Sequence, residues 1–285
     1  MKNFLFKIYR FFASKLSGHH LGIFPPFRFL SGLFLEKMRD PLKPVLVNDY
    51  LMFLDPKDSL RLSVHQHEPY ETEILKKEIK PGDTVVDVGA HIGYYTLLFS
   101  KLVGPSGKVF SFEPAPQNFS ILEKNINFNS CKNVILINKA VGNQPGLAKI
   151  HLTPSTGDFN FVDTKEDKQE LELPIITLDG YFSSRGNTQI DFIKMDIEGY
   201  EPRALSGMKN ILLKTPKMKM LVEFYPKMLR KAGCNPSDLL KFIFEAGFKI
   251  YAIQDKVGSM VPMKIEDLLR FYCFNRVGNI FCVKE

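Results

Sequence analysis

The sequence predicts an α/β fold in which helices cover both faces of a doubly wound, mostly parallel sheet. Short runs rich in β-branched residues alternate with segments of helical spacing from Thr84 onwards, as is typical of parallel sheets. A glycine turn, Gly89 to Gly93, joins the first of these strands to the first of these helices. The chain has 285 residues, 45% of them apolar, which is enough for one large domain and an extension. We expect seven strands in the sheet, the last of them antiparallel.

Residues 1–62 are predicted to form an N-terminal extension to a main domain at residues 63–285. Residues 1–17 place apolar side chains on one face of a helix and polar side chains on the other. They contain no apolar run near the ~20 residues needed to cross a bilayer, and Lys7 and Arg10 interrupt them too early for a secretory signal. Two interpretations stay open, namely a helix lying on an anionic membrane surface and a helix packed on the main domain or a partner subunit.

The rest of the extension is predicted to be an irregular connector followed by a hairpin. Four prolines disfavour regular structure over residues 18–44. Residues 45–62 alternate in polarity and are predicted to form a β-hairpin, with the turn at residues 55–58.

Charge and cysteine content restrict the function. The formal net charge is +7, but residues 1–61 hold ten Lys and Arg against five Asp and Glu, which leaves only +2 for the rest of the chain. A nearly neutral main domain argues against a nucleic-acid partner. The four cysteines show no C-x-x-C pairing, and we interpret them as reduced thiols, which favours a cytoplasmic protein. His65 and His67 lack nearby metal ligands and are expected to be surface polar residues.

The main domain is predicted to begin with a helix within residues 65–80, the strand that starts at Thr84, and a helix from Tyr94 to Val103. Further strands are predicted at residues 108–114, 133–141, 191–197, 219–225, 248–254 and 277–284, with helices at 116–129, 201–213 and 236–246. About fifty residues separate the third strand from the fourth. We interpret the polar segment 154–170 within them as a lid, flanked by strands at 148–153 and 172–177.

Asp87 lies near the carboxyl end of the first strand, beside the glycine turn. Glycines let the backbone approach a ligand, and the following helix supplies free N–H groups, so this arrangement is typical of a nucleotide site. The spacing Gly89-x-x-x-Gly93 lacks the G-x-G-x-x-G of dinucleotide folds. A carboxylate at this place repels phosphate but attracts an ammonium or sulfonium group. We therefore expect a nucleotide-like ligand that carries a positive charge.

Polar residues also follow the later strands, where ligands of open α/β sheets bind. Glu113 comes twenty residues after Gly93, a place that suits the two hydroxyls of a ribose. The third strand ends at Asn138, Lys139 and Ala140, around the expected position of the ligand's adenine ring. The fourth offers three residues that alternate along one side, and the fifth ends at Glu223. The three alternating residues are Lys194, Asp196 and Glu198.

An ordered set of motifs resembles the FkbM family of S-adenosylmethionine-dependent methyltransferases. The motifs are VVDVGAHIGYYTLL, FEPAPQNFSILEKN, NKAVG, TLDGYF, DFIKMDIEGYE and LVEFYP, and the resemblance covers roughly residues 68–253. It implies a class I methyltransferase fold, which is Rossmann-like, and O-methylation of a hydroxyl on a sugar, glycolipid or natural product. The chain departs from the family at His91, where members usually carry Asn.

Together, the residues and the resemblance predict a site for S-adenosylmethionine and a base for the acceptor hydroxyl. Asp196 is the first choice for general base or acceptor contact, supported by Lys194 and Glu198. Alternatively, Asp196, Glu198 and Glu223 hold a divalent cation; this interpretation is not favoured, and no metal ligand is assigned. The residues assigned to the cofactor are Glu71, Asp87, Gly89, Ala90, His91, Gly93, Tyr94, Glu113, Pro114, Asn118, Lys139, Ala140 and Asp196.

Two other functions stay open. An RNA or DNA methyltransferase that acts on exocyclic amines commonly has D/N-P-P-Y/F/W after the fourth strand, whereas this chain has Asp-Ile-Glu-Gly at residues 196–199. A non-catalytic cofactor-binding or membrane-docked partner protein is the other alternative. The expected partner is a hydroxylated small molecule or glycan, and the expected location is the cytoplasm, including the inner membrane surface if residues 1–17 bind lipid. The acceptor and the oligomeric state cannot be predicted from these patterns.

Overall fold

The computed structural model describes residues 40, 42–56, 58–60, 62–63, 67–152, 159–160, 170–186, 188–254, 259–273 and 276–284. The amphipathic segment 1–17, most of the connector 18–44 and most of the predicted lid 154–170 lie outside these residues.

Strands and helices follow one another along the described chain. The strands are β1 (Val45–Val47), β2 (Tyr50–Met52), β3 (Thr84–Val88), β4 (Lys108–Phe112), β5 (Val134–Ile137), β6 (Ala140–Val141), β7 (Gly146–Leu152), β8 (Phe159–Asn160), β9 (Glu170–Ile176), β10 (Phe192–Met195), β11 (Met218–Glu223), β12 (Lys249–Gln254), β13 (Ser259–Pro262) and β14 (Asn279–Lys284). The helices are α1 (Pro69–Glu78), α2 (Tyr94–Val103), α3 (Pro116–Phe128), α4 (Leu178–Ser183), α5 (Glu201–Ser206), α6 (Lys209–Lys214), α7 (Pro226–Lys231), α8 (Pro236–Glu245) and α9 (Ile265–Phe271).

The main sheet has the strand order β13-β12-β14-β11-β10-β3-β4-β5, and the α/β prediction is confirmed. The neighbouring strands β11, β10, β3, β4 and β5 run parallel, so their carboxyl ends meet at one edge. The antiparallel last strand, β14, inserts between β11 and β12. The sheet has eight strands rather than seven, because β13 adds to its outer edge, and α9 lies between the two last predicted strands.

Side chains alternate between the two faces of the sheet. Val86 and Val88 of β3 pack into a core that is completed by α4 to α9, whereas Val85 packs into a second core with α1 to α3. Helices therefore cover both faces, as predicted. Within the described chain, no helix is both long enough and apolar enough to cross a membrane. The four cysteines are free thiols.

The predicted hairpin exists but turns elsewhere. β1 and β2 pair through a two-residue turn at Asn48 and Asp49, in which Asn48 adopts φ +51°. Asn tolerates this left-handed conformation, which such short hairpin turns require. At the predicted turn, the Asp58 N–H donates to the Asp55 carbonyl at 3.0 Å, but no described strand follows it before β3.

Two predicted elements are divided in the structure. The strand predicted at 133–141 ends at Ile137, and β6 joins a separate four-stranded sheet of order β6-β9-β7-β8. The helix predicted at 201–213 breaks into α5 and α6 around Gly207, where a Cβ would lie 2.0 Å from the Gly142 carbonyl oxygen. The strands predicted on either side of the lid pair as β7 and β9.

Candidate active site

A cavity opens where the turn after β3 meets the ends of β4 and β10. Its volume is about 140 Å³ and it opens to solvent, so a ligand as large as a nucleoside would extend from it into the open crevice. The residues that line it are Leu60, His67, Gly89, Ala90, His91, Tyr94, Tyr95, Glu113, Pro114, Asn118, Lys194, Asp196, Ile197 and Glu198.

The glycine turn lies against the end of β10. Gly89 has φ +85°, and a Cβ at this residue would lie 1.9 Å from the Asp196 carbonyl oxygen. Only glycine permits both this backbone conformation and this close approach. The turn therefore brings the backbone of residues 89–91 beside the predicted base.

Glu113 connects the end of β4 to the same turn. Its Oε2 accepts a hydrogen bond from the His91 N–H at 2.8 Å, and its Oε1 accepts one from the Ala115 N–H at 2.9 Å. Burial raises the pKa of Glu113 to about 7, although these two N–H donors oppose the shift. Each carboxylate oxygen has a second lone pair, so Glu113 can still accept hydrogen bonds from a ligand.

Asp87, which the sequence places against a cationic ligand, is not among the residues that line the cavity. Its side chain is fully buried on the α2 side of the sheet, where Oδ2 accepts a hydrogen bond from the Thr96 hydroxyl at 2.6 Å. Lys194 lies opposite Asp87 in the neighbouring strand β10. The Asp87 carboxylate therefore contributes through its negative charge, which helps to stabilise the ammonium form of Lys194.

Lys194 holds Asp196 at the edge of the cavity. The Lys194 side chain is only 3% exposed, and its Nζ lies 3.1 Å from Asp196 Oδ2 and 4.7 Å from the centre of the Tyr95 ring. Burial lowers the pKa of this ammonium, but the carboxylates of Asp196, Asp87 and Glu68 outweigh burial and raise the pKa above its ordinary value. Lys194 is therefore a fixed cation, while the Asp196 side chain stays 32% exposed.

Three carboxylates meet beyond the ends of β10 and β11. Asp196, Glu198 and Glu223 each offer an oxygen, and these oxygens lie within 4.8 Å of one another. Burial, followed by the charges of Asp196, Glu198 and Glu201, raises the pKa of Glu223 well above its ordinary value. Glu201 fixes the loop that carries Asp196 and Glu198, because its Oε1 accepts hydrogen bonds from the N–H groups of Ile197 and Gly199 at 3.0 and 3.2 Å.

The predicted catalytic residues Lys194, Asp196 and Glu198 all line the cavity, but part of the predicted cofactor set does not. Glu71 is buried and accepts a hydrogen bond from Asn279 at 3.3 Å. Gly93 is the N-cap of α2, and a Cβ added there would lie 2.7 Å from the Leu122 side chain. Lys139 is exposed outside the cavity lining, and Ala140 belongs to β6, because the chain leaves the main sheet after β5.

Four lining residues were not among the predicted site residues, namely Leu60, His67, Tyr95 and Ile197. His67 is not the surface residue that its sequence context suggested. Its ring packs edge-on against Tyr94, with centroids 5.4 Å apart, and its carbonyl accepts the Tyr94 hydroxyl at 2.8 Å. Glu68 follows in a left-handed conformation and accepts the Tyr95 hydroxyl. No spacing in the sequence marks these contacts, which join α1 to α2.

The fold and the cavity define an α/β protein with a crevice at the carboxyl edge of its parallel strands, the edge at which open α/β sheets generally bind their ligands. Residues 87–250 match the family described as the methyltransferase FkbM domain. This match covers more than half of the chain, so the chain belongs to that family, and the predicted resemblance is confirmed.

Among curated relatives, the chain is 28% identical over 170 residues to the 31-O-demethyl-FK506 methyltransferase FkbM of Streptomyces tacrolimicus. This alignment covers 47% of this chain and 62% of that protein. It is 27% identical over 173 residues to the hexuronic acid methyltransferase AglP of Haloferax volcanii, and this second alignment covers 61% of this chain and 66% of that protein. The chain thus spans slightly less than two thirds of the length of both relatives. A crystal structure of the methyltransferase FkbM from Methylobacillus flagellatus shows 14% identity and a TM-score of 0.45, covering 79% of this chain and 52% of that one.

Proposed function

We propose that this protein is an S-adenosylmethionine-dependent O-methyltransferase that acts on a hydroxyl of a sugar, glycolipid or natural product. The observation that carries the proposal is the Asp196 carboxylate, fixed by buried Lys194 beside the glycine turn and the Glu113 carboxylate. Membership of the methyltransferase FkbM family supports this class of reaction, as do relatives named for 31-O-demethyl-FK506 and for hexuronic acid.

The residues present suit S-adenosylmethionine, which when bound supplies an activated methyl group on a positively charged sulfur. Asp196 and Glu198, with Glu113 where it is ionised, outnumber the Lys194 ammonium in the lining, and this excess of negative charge favours a cationic ligand. Glu113 has remaining lone pairs for the two ribose hydroxyls. Backbone groups of residues 89–91 lie close by, because Gly89 allows the turn to approach.

Asp196 would take the proton of the acceptor hydroxyl. Methyl transfer to an alcohol needs a proton acceptor and accurate alignment, and a partly exposed carboxylate held by a buried lysine provides both. Lys194 would orient Asp196 through the 3.1 Å contact with Oδ2 and leave the other oxygen available. Lys194 itself would not be the base, because its environment stabilises the ammonium form.

The partner and location remain those expected from the sequence. The near-neutral main domain favours a small-molecule or glycan acceptor over nucleic acid. A cytoplasmic location, with residues 1–17 touching the inner membrane surface, is compatible with an acceptor carried on a lipid.

Incubation with methyl-labelled S-adenosylmethionine and fractionated cell extract tests the proposal. We expect label in a carbohydrate, glycolipid or small-molecule fraction, and resistance of that label to mild base, because methyl ethers survive base and methyl esters do not. Asp196→Asn should largely retain affinity for S-adenosylmethionine, because Glu113 and Glu198 remain in the lining, while turnover falls by about 100- to 10,000-fold. Label that is confined to RNA or DNA, or undiminished turnover of Asp196→Asn, would contradict the proposal.

A further inference from the structure

The carboxylate group formed by Asp196, Glu198 and Glu223 has the composition and spacing of a cation site. Asp196 and Glu198 follow β10, and Glu223 ends the neighbouring parallel strand β11. One oxygen from each lies within 4.8 Å of the other two. Oxygens bound to one hard divalent cation at about 2.1–2.5 Å lie at most about 4–5 Å apart, so the cluster needs little movement to surround an ion.

A second observation points to a missing ligand. The Oε2 atom of Glu223 is buried and has no hydrogen-bond partner in the described part of the chain. Asp58 Oδ1 and Asp87 Oδ1 are unpaired by the same criterion, but of these three residues only Glu223 belongs to the three-carboxylate group. Buried carboxylate oxygens are normally satisfied by a donor or by a metal, because leaving one unpaired is costly. The ion pairs found among the described residues do not reach Glu223 either, since Lys194 Nζ is bound to Asp196 Oδ2.

We infer that Asp196, Glu198 and Glu223 bind one hard divalent cation of the Mg²⁺ or Mn²⁺ type. Three carboxylate oxygens, without sulfur or imidazole, match the preference of these ions. Such an ion would keep further coordination positions for water or a substrate oxygen. The sequence alone did not favour a metal; the orphaned oxygen of Glu223 is what changes the interpretation.

The role of the ion rests on the proposed function. Asp196 and Glu198 line the cavity, so an ion held by them would lie at its edge, where the acceptor is expected. A divalent cation lowers the pKa of a bound hydroxyl and orients its oxygen. Asp196 would then bind the ion through one oxygen and take the proton of the acidified hydroxyl with the other, as proposed above. Glu223 would be a positioning residue that holds the ion.

Metal binding to the full chain tests the inference without any methyl donor or acceptor. After removal of metals with a chelator, titration with Mn²⁺ alone, followed by electron paramagnetic resonance of the free ion, should show one bound ion per chain that Mg²⁺ displaces. Glu223→Gln keeps the shape of the side chain but removes its charge, and should weaken Mn²⁺ binding at least tenfold. Glu245→Gln, on the exposed side of α8, is the matched control and should bind as the parent does.

Absence of Mn²⁺ binding in the parent, or equal affinity in Glu223→Gln with an unchanged melting temperature, would overturn the cation site. The two proposals fail separately. Metal binding without methyl transfer to any hydroxyl would refute the proposed function but not the site, whereas methyl transfer by a chain that binds no Mn²⁺ or Mg²⁺ would refute the site but not the function.

Discussion

The carboxylate of Glu113 is buried and accepts hydrogen bonds from two backbone N–H groups. Burial raises its pKa, the hydrogen bonds lower it, and burial has the larger effect, so the pKa rises to about 7. The folded protein therefore binds a proton at Glu113 that the unfolded chain, with an ordinary pKa near 4.5, has already lost. The stability that this proton contributes is fully present below about pH 4.5 and is lost as pH rises through 7.

Replacing Glu113 with Gln should flatten this pH dependence. Between pH 5 and pH 8, the free energy of unfolding of the ligand-free parent should fall by up to about 3 kcal/mol more than that of Glu113→Gln. Urea unfolding at both pH values measures the difference. Glu73→Gln, at an exposed site, should follow the parent, and parallel profiles for the parent and Glu113→Gln would reject the assignment.

The residue scale also shows where prediction from sequence stops. Glu113 and Asp196 could be placed at the site because both follow predicted strands. Asp87 satisfies the same rule, yet it lies within β3 on the same face as Val85, and its side chain accepts a hydrogen bond from Thr96 of α2 instead of lining the cavity. His67 joins the site through ring and hydroxyl contacts to Tyr94, which no local pattern in the sequence encodes.

Among the elements, the turn between β3 and α2 is the one that assembles the site. It contacts Glu113 through the His91 N–H and the end of β10 through Gly89. The alternation of strand, glycine turn and helix was sufficient to predict this element. The division of residues 133–141 was not predictable, because the Asn138 side chain donates to the carbonyls of Glu113 and Pro114, at 2.8 and 3.0 Å, which are distant in sequence.

Gly89→Ala should therefore damage the turn more than its positive φ alone explains. We expect a loss of about 3 kcal/mol or more in unfolding free energy, because the new methyl group would collide with the Asp196 carbonyl as well as adopt a strained conformation. Gly186→Ala is the matched control, with φ +80° and no heavy atom within 4 Å of the added Cβ, and should cost only about 1 kcal/mol. Equal losses of unfolding free energy in the two variants, measured by chemical unfolding, would show that the close approach of Gly89 to the Asp196 carbonyl does not contribute.

For the molecule as a whole, the parallel order of β11, β10, β3 and β4 brings residues distant in sequence to one edge of the sheet. Fold class and the two helical layers followed from the hydrophobic periodicity. The added edge strand β13 and the separate sheet around β9 did not, because strand pairing depends on contacts across the whole chain.

The uneven charge along the chain gives a prediction at this scale. Residues 1–61 carry ten basic against five acidic side chains, and residues 1–17 have the pattern of an amphipathic helix. Removing residues 1–17 should weaken co-sedimentation with anionic liposomes, while neutral liposomes should bind both forms poorly. Equal sedimentation of the two forms with anionic liposomes would favour packing of this segment on protein.

The most direct measurement is a crystal structure of the protein soaked with S-adenosylmethionine. The account predicts the ribose hydroxyls within hydrogen-bond distance of the Glu113 carboxylate and the sulfur on the side of Asp196. A nucleoside bound elsewhere on the molecule, or one in the crevice with its sulfur turned away from Asp196, would contradict it.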